Sequence, residues 1–307
     1  MYYFIVIILI IFVFIGISVI VKAPGNVRKR VIHNTVVPKM LGVKEELPLE
    51  GAVYSLEKAI SQTFSERIKA RFLQDNPHVS EKEYDLLFME LQRFFIMCSL
   101  LKNVPMFSED VDEVWHTMIM FTREYDDFSH QFCGEFLHHS PADKVEPDPH
   151  GRAWFDLVYS ELFQMTDFSS IAWGRFFKNP LDTDLMEELQ EKSSEELKKK
   201  YFRDNANEDL VFALIERLKK QIAYSTNKEN FPNGFKRVRN YTESALYLTQ
   251  AMIFYSISDP EDFHFHMQAL DPADSKSSSS AGGSCSSGSN DSSCGSSCGS
   301  GCGGGGD

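Results

Sequence analysis

The chain has 307 residues, 43% of them hydrophobic and 13% aromatic, and a formal net charge of −13. Its 25 Phe and 11 Tyr can fill a core, which excludes a wholly disordered polymer. The acidic balance argues against nonspecific nucleic-acid binding, because phosphate contacts need a basic face.

Tyr2 to Val21 is an unbroken run of apolar and small residues with no charged side chain. At the rise of an α-helix it spans about 30 Å, the thickness of a bilayer's hydrocarbon core. Lys22, Arg28, Lys29 and Arg30 follow the run and no charge precedes it, so the positive-inside rule places the rest of the chain in the cytoplasm. The run lacks a basic n-region, is overlong for a signal peptide and shows no clear small-x-small cleavage site. Residues 1–22 therefore read as a transmembrane signal anchor, with the lipid bilayer as partner through residues 2–21.

Residues 23–50 contain Pro24-Gly25, Pro38 and Pro48 and read as a stalk. From Gly51 the pattern turns helical. Leu56, Ala59, Ile60, Phe64, Ile68 and Phe72 recur every three to four residues and make an apolar stripe. Ser80 followed by Glu83 is a capping-box signature for a helix through Tyr84, Leu87, Leu91, Phe94, Phe95 and Cys98. Further helices are expected near 110–132, 152–165, 183–201, 207–224 and 241–257. Glu188/Lys192, Glu195/Lys199 and Glu196/Lys200 are spaced i, i+4 with the acid first, as on a solvated helix face. No alternating strand pattern of useful length is present. The expected architecture is all-α: a helical globular domain over residues 51–270, behind a single N-terminal transmembrane helix.

The tail, residues 271–307, is dominated by Ser, Gly and Cys beyond Asp274. It has little apolar surface to bury and is expected to be disordered. Cys285, Cys294, Cys298 and Cys302 lie in it, and their spacing does not match the paired two-residue gaps of structural zinc knuckles. Soft-metal binding, lipidation and a plain low-complexity tail all remain open.

The densest chemistry lies between residues 112 and 139. Asp112 and His116 are i, i+4 and share one side of a helix whose other side carries Val111, Val114, Trp115 and Met118. A carboxylate one turn before an imidazole can co-ligate a metal or fix the imidazole's tautomer. That helix is expected to end near Cys133-Gly134, after which His138 and His139 return toward it. Adjacent residues point in different directions, so one ligand from that pair is expected rather than two. Asp112, His116, His138 and His139 are thus the candidate metal ligands, for zinc or another transition metal. His264 and His266 form a weaker pair, and Cys98 reads as a small core residue. No zinc-protease, nucleophile-elbow, phosphate-loop or dinucleotide signature occurs outside the tail.

This segment resembles the glycine-rich domain-containing protein-like family. The resemblance rests on Val111-Asp112-Glu113-Val114-Trp115-His116, Phe121-Thr122-Arg123-Glu124-Tyr125, Phe128, Gly134, Phe136, Leu137, His138, His139 and Pro141, with a Cys/Gly/Ser-rich tail behind. It implies a domain whose biochemistry is largely undefined. That family usually has a Cys directly after the position of Phe128. Ser129 stands there in this chain, and Cys133 stands where an aromatic residue is usual, so the resemblance supplies no thiolate ligand.

Three functions follow as expectations. The first is a membrane-anchored cytoplasmic interaction domain that binds a protein partner and uses its His cluster structurally or for a metal. The second is a metal-dependent enzyme, with Asp112 or Glu113 as ligand or base beside His116 and one of His138/His139. The third is metal handling by the tail cysteines.

Overall fold

A computed structural model describes residues 24–139 and 148–271. The apolar run 2–21, Pro141 and the Ser/Gly/Cys tail lie outside the described residues. Within them the protein is all-α, with thirteen α-helices, two short 3-10 turns and no strand. Among the described residues, two isolated bridges, Val43 with Phe163 and Leu101 with Phe202, pair extended backbone. No helix among the described residues is long and apolar enough to cross a membrane.

The central element is α4 (Glu81–Leu100), capped by Ser80, whose hydroxyl accepts from the Glu83 N–H. Glu83 does not complete the expected capping box. Its carboxylate instead takes Arg28 Nε at 2.7 Å. Both sides of α4 are apolar, and Leu86, Met89, Phe94, Phe95 and Ile96 are all buried. Around it pack α1 (Pro24–Asn34), α2 (Glu50–Ala59), α3 (Gln62–Asp75), α5 (Glu109–Ile119) and α6 (Thr122–Cys133). The second half of the domain contains α7 (Pro149–Leu162), α8 (Ser169–Ala172), α9 (Thr183–Glu191), α10 (Ser194–Tyr201), α11 (Glu208–Thr226), α12 (Tyr241–Ser258) and α13 (Phe263–Leu270). The stripe of Leu56, Ala59, Ile60, Phe64, Ile68 and Phe72 is buried throughout, although Ser61 caps a new helix in the middle of it.

Three expectations need correction. Residues 24–49 are not a free stalk: Ile32, Leu41, Leu47 and Leu49 are buried, and Arg28 joins Glu83 and Asp110. The prolines there limit helix length without preventing packing. The single helix expected over 110–132 is two helices, with Phe121 at a non-helical ψ of 65° between them. Residues 115 and 125 would be about 15 Å apart along one straight helix. The break lets Trp115 Nε1 donate to Tyr125 Oη at 3.0 Å. The helix expected over 183–201 also divides, at a capping box made by Ser193 and Glu196. Of the three i, i+4 pairs expected there, Glu188 and Lys192 meet at 2.9 Å. Lys200 turns to Glu188 as well, and Glu196 is taken by its own cap.

At the far end of the described residues, the buried carboxylate of Asp271 accepts from Tyr241 Oη at 3.0 Å.

Candidate metal centre

Helix α5 begins where Ser108 Oγ accepts the Val111 N–H at 3.1 Å, and Glu109, Asp110 and Asp112 crowd its first turn. Acidic side chains there are favoured by the exposed N–H groups and the helix dipole. Val111, Val114, Trp115 and Met118 are buried on the core side, which turns Asp112 and His116 to the adjoining, partly exposed side.

The third group arrives from a chain reversal. Gly134 ends α6 in the left-handed region, with φ of 76°, and residues 135–139 run back along the helix pair. Tyr125 pins this return, because its hydroxyl donates to the Leu137 carbonyl at 2.6 Å while Phe136 packs edge-on against its ring. Gly134→Ala places a side chain at positive φ and only 3.3 Å from Asn205 Nδ2. The variant is expected to lose about 1–2 kcal/mol in a denaturant titration.

His139 Nε2 then lies 2.7 Å from Asp112 Oδ1. A carboxylate only accepts, so the imidazole N–H donates. His116 Nε2 lies 3.6 Å from the other oxygen of Asp112, and its Nδ1 is 3.9 Å from Glu113. The His139 ring meets Trp115 edge-on at 4.4 Å and His116 at 4.6 Å between centroids. One donor atom from each of Asp112, His116 and His139 falls within 4.8 Å of the others. Side-chain exposure rises from 11% at His139 through 25% at Asp112 to 46% at His116, so the cluster is closed on the Trp115 side and open on the other.

Tetrahedral zinc with bonds of about 2.0–2.1 Å needs donors about 3.3 Å apart. His139 and His116 stand 2.7 and 3.6 Å from different oxygens of Asp112, and the three donors span up to 4.8 Å, so the side chains must draw together to meet one ion. The residues fit a divalent transition metal by chemistry as well, since two imidazoles and a carboxylate suit zinc or iron(II).

Of the four candidate ligands, the structure brings Asp112, His116 and His139 together. His138 turns away to meet Phe136 edge-on at 4.9 Å, where it lines a cavity of about 260 Å³ beside Trp115, Lys102 and Arg203. His266 Nε2 meets Asp259 at 2.8 Å and stacks on Tyr255, while His264 is exposed. Neither joins a cluster of three metal-binding groups among the described residues.

Cys133 is buried and stands outside the cluster, and Cys98 is buried in α4. Burial pushes the Cys133 thiol up to about 11 and raises Cys98 further. Both should react with iodoacetamide at pH 8 at least about a hundredfold more slowly than a free thiol. The Cys133 rate should rise about tenfold per pH unit until near pH 11, provided the fold persists. Rapid labelling of either residue at neutral pH would contradict this placement.

Sequence reasoning missed a second polar constellation. Glu90 and Arg93 are fully buried inside α4, joined by Tyr159, Ser169 and Trp173 from the second half of the domain. Glu90 accepts from Tyr159 Oη at 2.6 Å, Ser169 Oγ at 2.8 Å and Trp173 Nε1 at 2.9 Å. Arg93 donates to Tyr159 Oη at 2.6 Å and to the carbonyls of Leu41 and Gln164 at 2.8 and 3.0 Å. Burial works against the Arg93 charge, but Tyr159 and Glu90 more than offset it and its pKa is raised. No buried polar side-chain atom of the network lacks a protein partner, so it ties elements together rather than awaiting a ligand. The available signal was position: Glu90 and Arg93 interrupt a helix that is apolar on all sides.

A model of the UCP032817-like family matches residues 55–160, from α2 to near the end of α7. The match includes Asp112, His116 and His139 as well as Glu90, Arg93 and Tyr159. No curated protein and no solved structure matches the chain.

Proposed function

We propose that this is a single-pass, membrane-anchored metalloprotein. Residues 2–21 hold it in a bilayer with the helical domain on the cytoplasmic side. Asp112, His116 and His139 hold a divalent transition metal, zinc first, with at least one coordination position open. The observation carrying this reading is the convergence of three nitrogen and oxygen donors, from two separate segments, within 4.8 Å on a half-exposed surface.

Structural zinc sites use four protein ligands and exclude water, whereas three ligands with an exposed side leave room for solvent or substrate. A bound metal would there polarise a ligand oxygen or lower the pKa of a water. Glu113 would orient His116 from outside the coordination shell. The resemblance of residues 111–141 to the glycine-rich domain-containing protein-like family supports reading that segment as the mark of a domain. A purely structural role is the second reading. It is favoured by the short Asp112–His139 contact, which fastens the return segment to α5.

Metal content of the full chain, purified in detergent and exposed to zinc before dialysis, separates these readings. About one equivalent is expected in the parent and less than about a tenth in His116→Ala, with helicity unchanged. Less than a tenth of an equivalent in the parent sinks the metal reading. Loss of the fold together with the metal favours the structural role.

A further inference from the structure

In one surface segment several cations stand together with no counter-charge. Lys228, Lys236, Arg237 and Arg239 lie in the connection between α11 and α12, are exposed, and have no ion pair or side-chain hydrogen bond among the described residues. By contrast, Arg28, Arg93, Arg152, Arg203 and Arg217 each meet a carboxylate. Residues 219–240 hold six basic side chains and one acidic one, Glu229, within a chain of net charge −13.

The same segment is rich in half-exposed rings. Tyr224 meets Phe231 at 5.6 Å, Phe231 meets Phe235 at 4.5 Å, and Phe235 meets Tyr247 at 5.1 Å. Beneath them, α12 is largely apolar beyond its first turn, where Thr242, Glu243 and Ser244 lie. Leu248, Ala251 and Met252 face the core, yet Leu246 and Ile257 remain 44% and 45% exposed on other sides. Exposed aliphatic side chains on the side away from the core favour contact with an apolar phase, and the connection covers that side only in part.

We propose that the α11–α12 connection and the outer side of α12 lie on an anionic lipid bilayer, the one that holds residues 2–21. For its shared bilayer the inference rests on the anchor reading above. Lysine and arginine ammonium and guanidinium groups pair with lipid phosphates, while aromatic rings and aliphatic side chains enter the headgroup–acyl boundary. Nucleic acid would satisfy the cations but not Leu246 and Ile257. The anchor makes the contact intramolecular in effect, so a modest surface affinity suffices.

The test uses the full chain in vesicles of phosphatidylcholine alone or with about 30% phosphatidylserine. Tryptic cleavage after Lys236, Arg237 and Arg239 should slow at least about tenfold on the anionic vesicles, with cleavage after the exposed loop residue Lys178 as internal reference. About 0.5 M salt should abolish the difference. Leu246→Glu together with Ile257→Glu should restore fast cleavage. Equal cleavage on both vesicles overturns the proposal, as does protection by polyuridylate but not by phosphatidylserine. Flotation with phosphatidylcholine vesicles reports the anchor separately. A chain that does not float there overturns the anchor, while lipid-dependent protection still decides the docking surface.

Discussion

Arg93→Ala should cost about 3–5 kcal/mol of unfolding free energy, a large part of the 5–15 kcal/mol that natural domains have. The guanidinium is wholly buried, and its removal leaves Glu90 as an uncompensated buried charge. It also frees a strained segment. Met40, Leu41 and Gly42 all have positive φ, and the Leu41 carbonyl is held by Arg93 Nε. A Cβ on Gly42 would come within 2.8 Å of Arg93 Nη2, so arginine and glycine fit as a pair. Some strain relaxes when Arg93 is lost, but the Leu41 carbonyl then loses its donor in the buried core, and the partly buried Gln164 carbonyl loses one as well. Replacing both charges, Glu90→Gln with Arg93→Met, should be less damaging than Arg93→Ala alone, because no isolated charge remains. Guanidinium titration of the three proteins decides it. A loss below about 1 kcal/mol for Arg93→Ala would contradict the assigned role.

The second large effect concerns the metal. His139→Ala should weaken zinc binding by more than about a hundredfold, since even outer-shell partners of a metal ligand are worth 10–100-fold. Glu113→Gln, which alters only such a partner, should cost about tenfold or less. Trp115 offers the readout, because the His139 ring centroid lies 4.4 Å from that of its indole. Zinc titration against a competing chelator, followed by Trp fluorescence, gives both affinities. Equal affinity in the parent and in His139→Ala would remove His139 from the ligand set.

Much of the helical fold was legible in the sequence. The stripes from Leu56 to Phe72 and from Tyr84 to Cys98 have helical periodicity, and those side chains are buried. Boundaries were harder to see. The α5–α6 break passed unnoticed because Met118, Tyr125 and Phe128 keep helical spacing across it, and the Trp115–Tyr125 hydrogen bond that requires it is tertiary. Helix α1 was hidden by its polar composition, and its docking through Arg28 depends on residues 55 and 82 positions away. At the candidate site, the Asp112/His116 pairing follows from helix geometry alone. The choice of His139 over His138 does not, because it is made by the Gly134 reversal and the Tyr125 contact with Leu137.

X-ray absorption at the zinc edge of the full chain tests the central claim most directly. The predicted spectrum has two imidazole nitrogens and one or two oxygens at about 2.0–2.1 Å and no sulfur. A sulfur shell at about 2.3 Å would place the metal on cysteines, foremost those at 285, 294, 298 and 302, and would contradict the assignment to Asp112, His116 and His139.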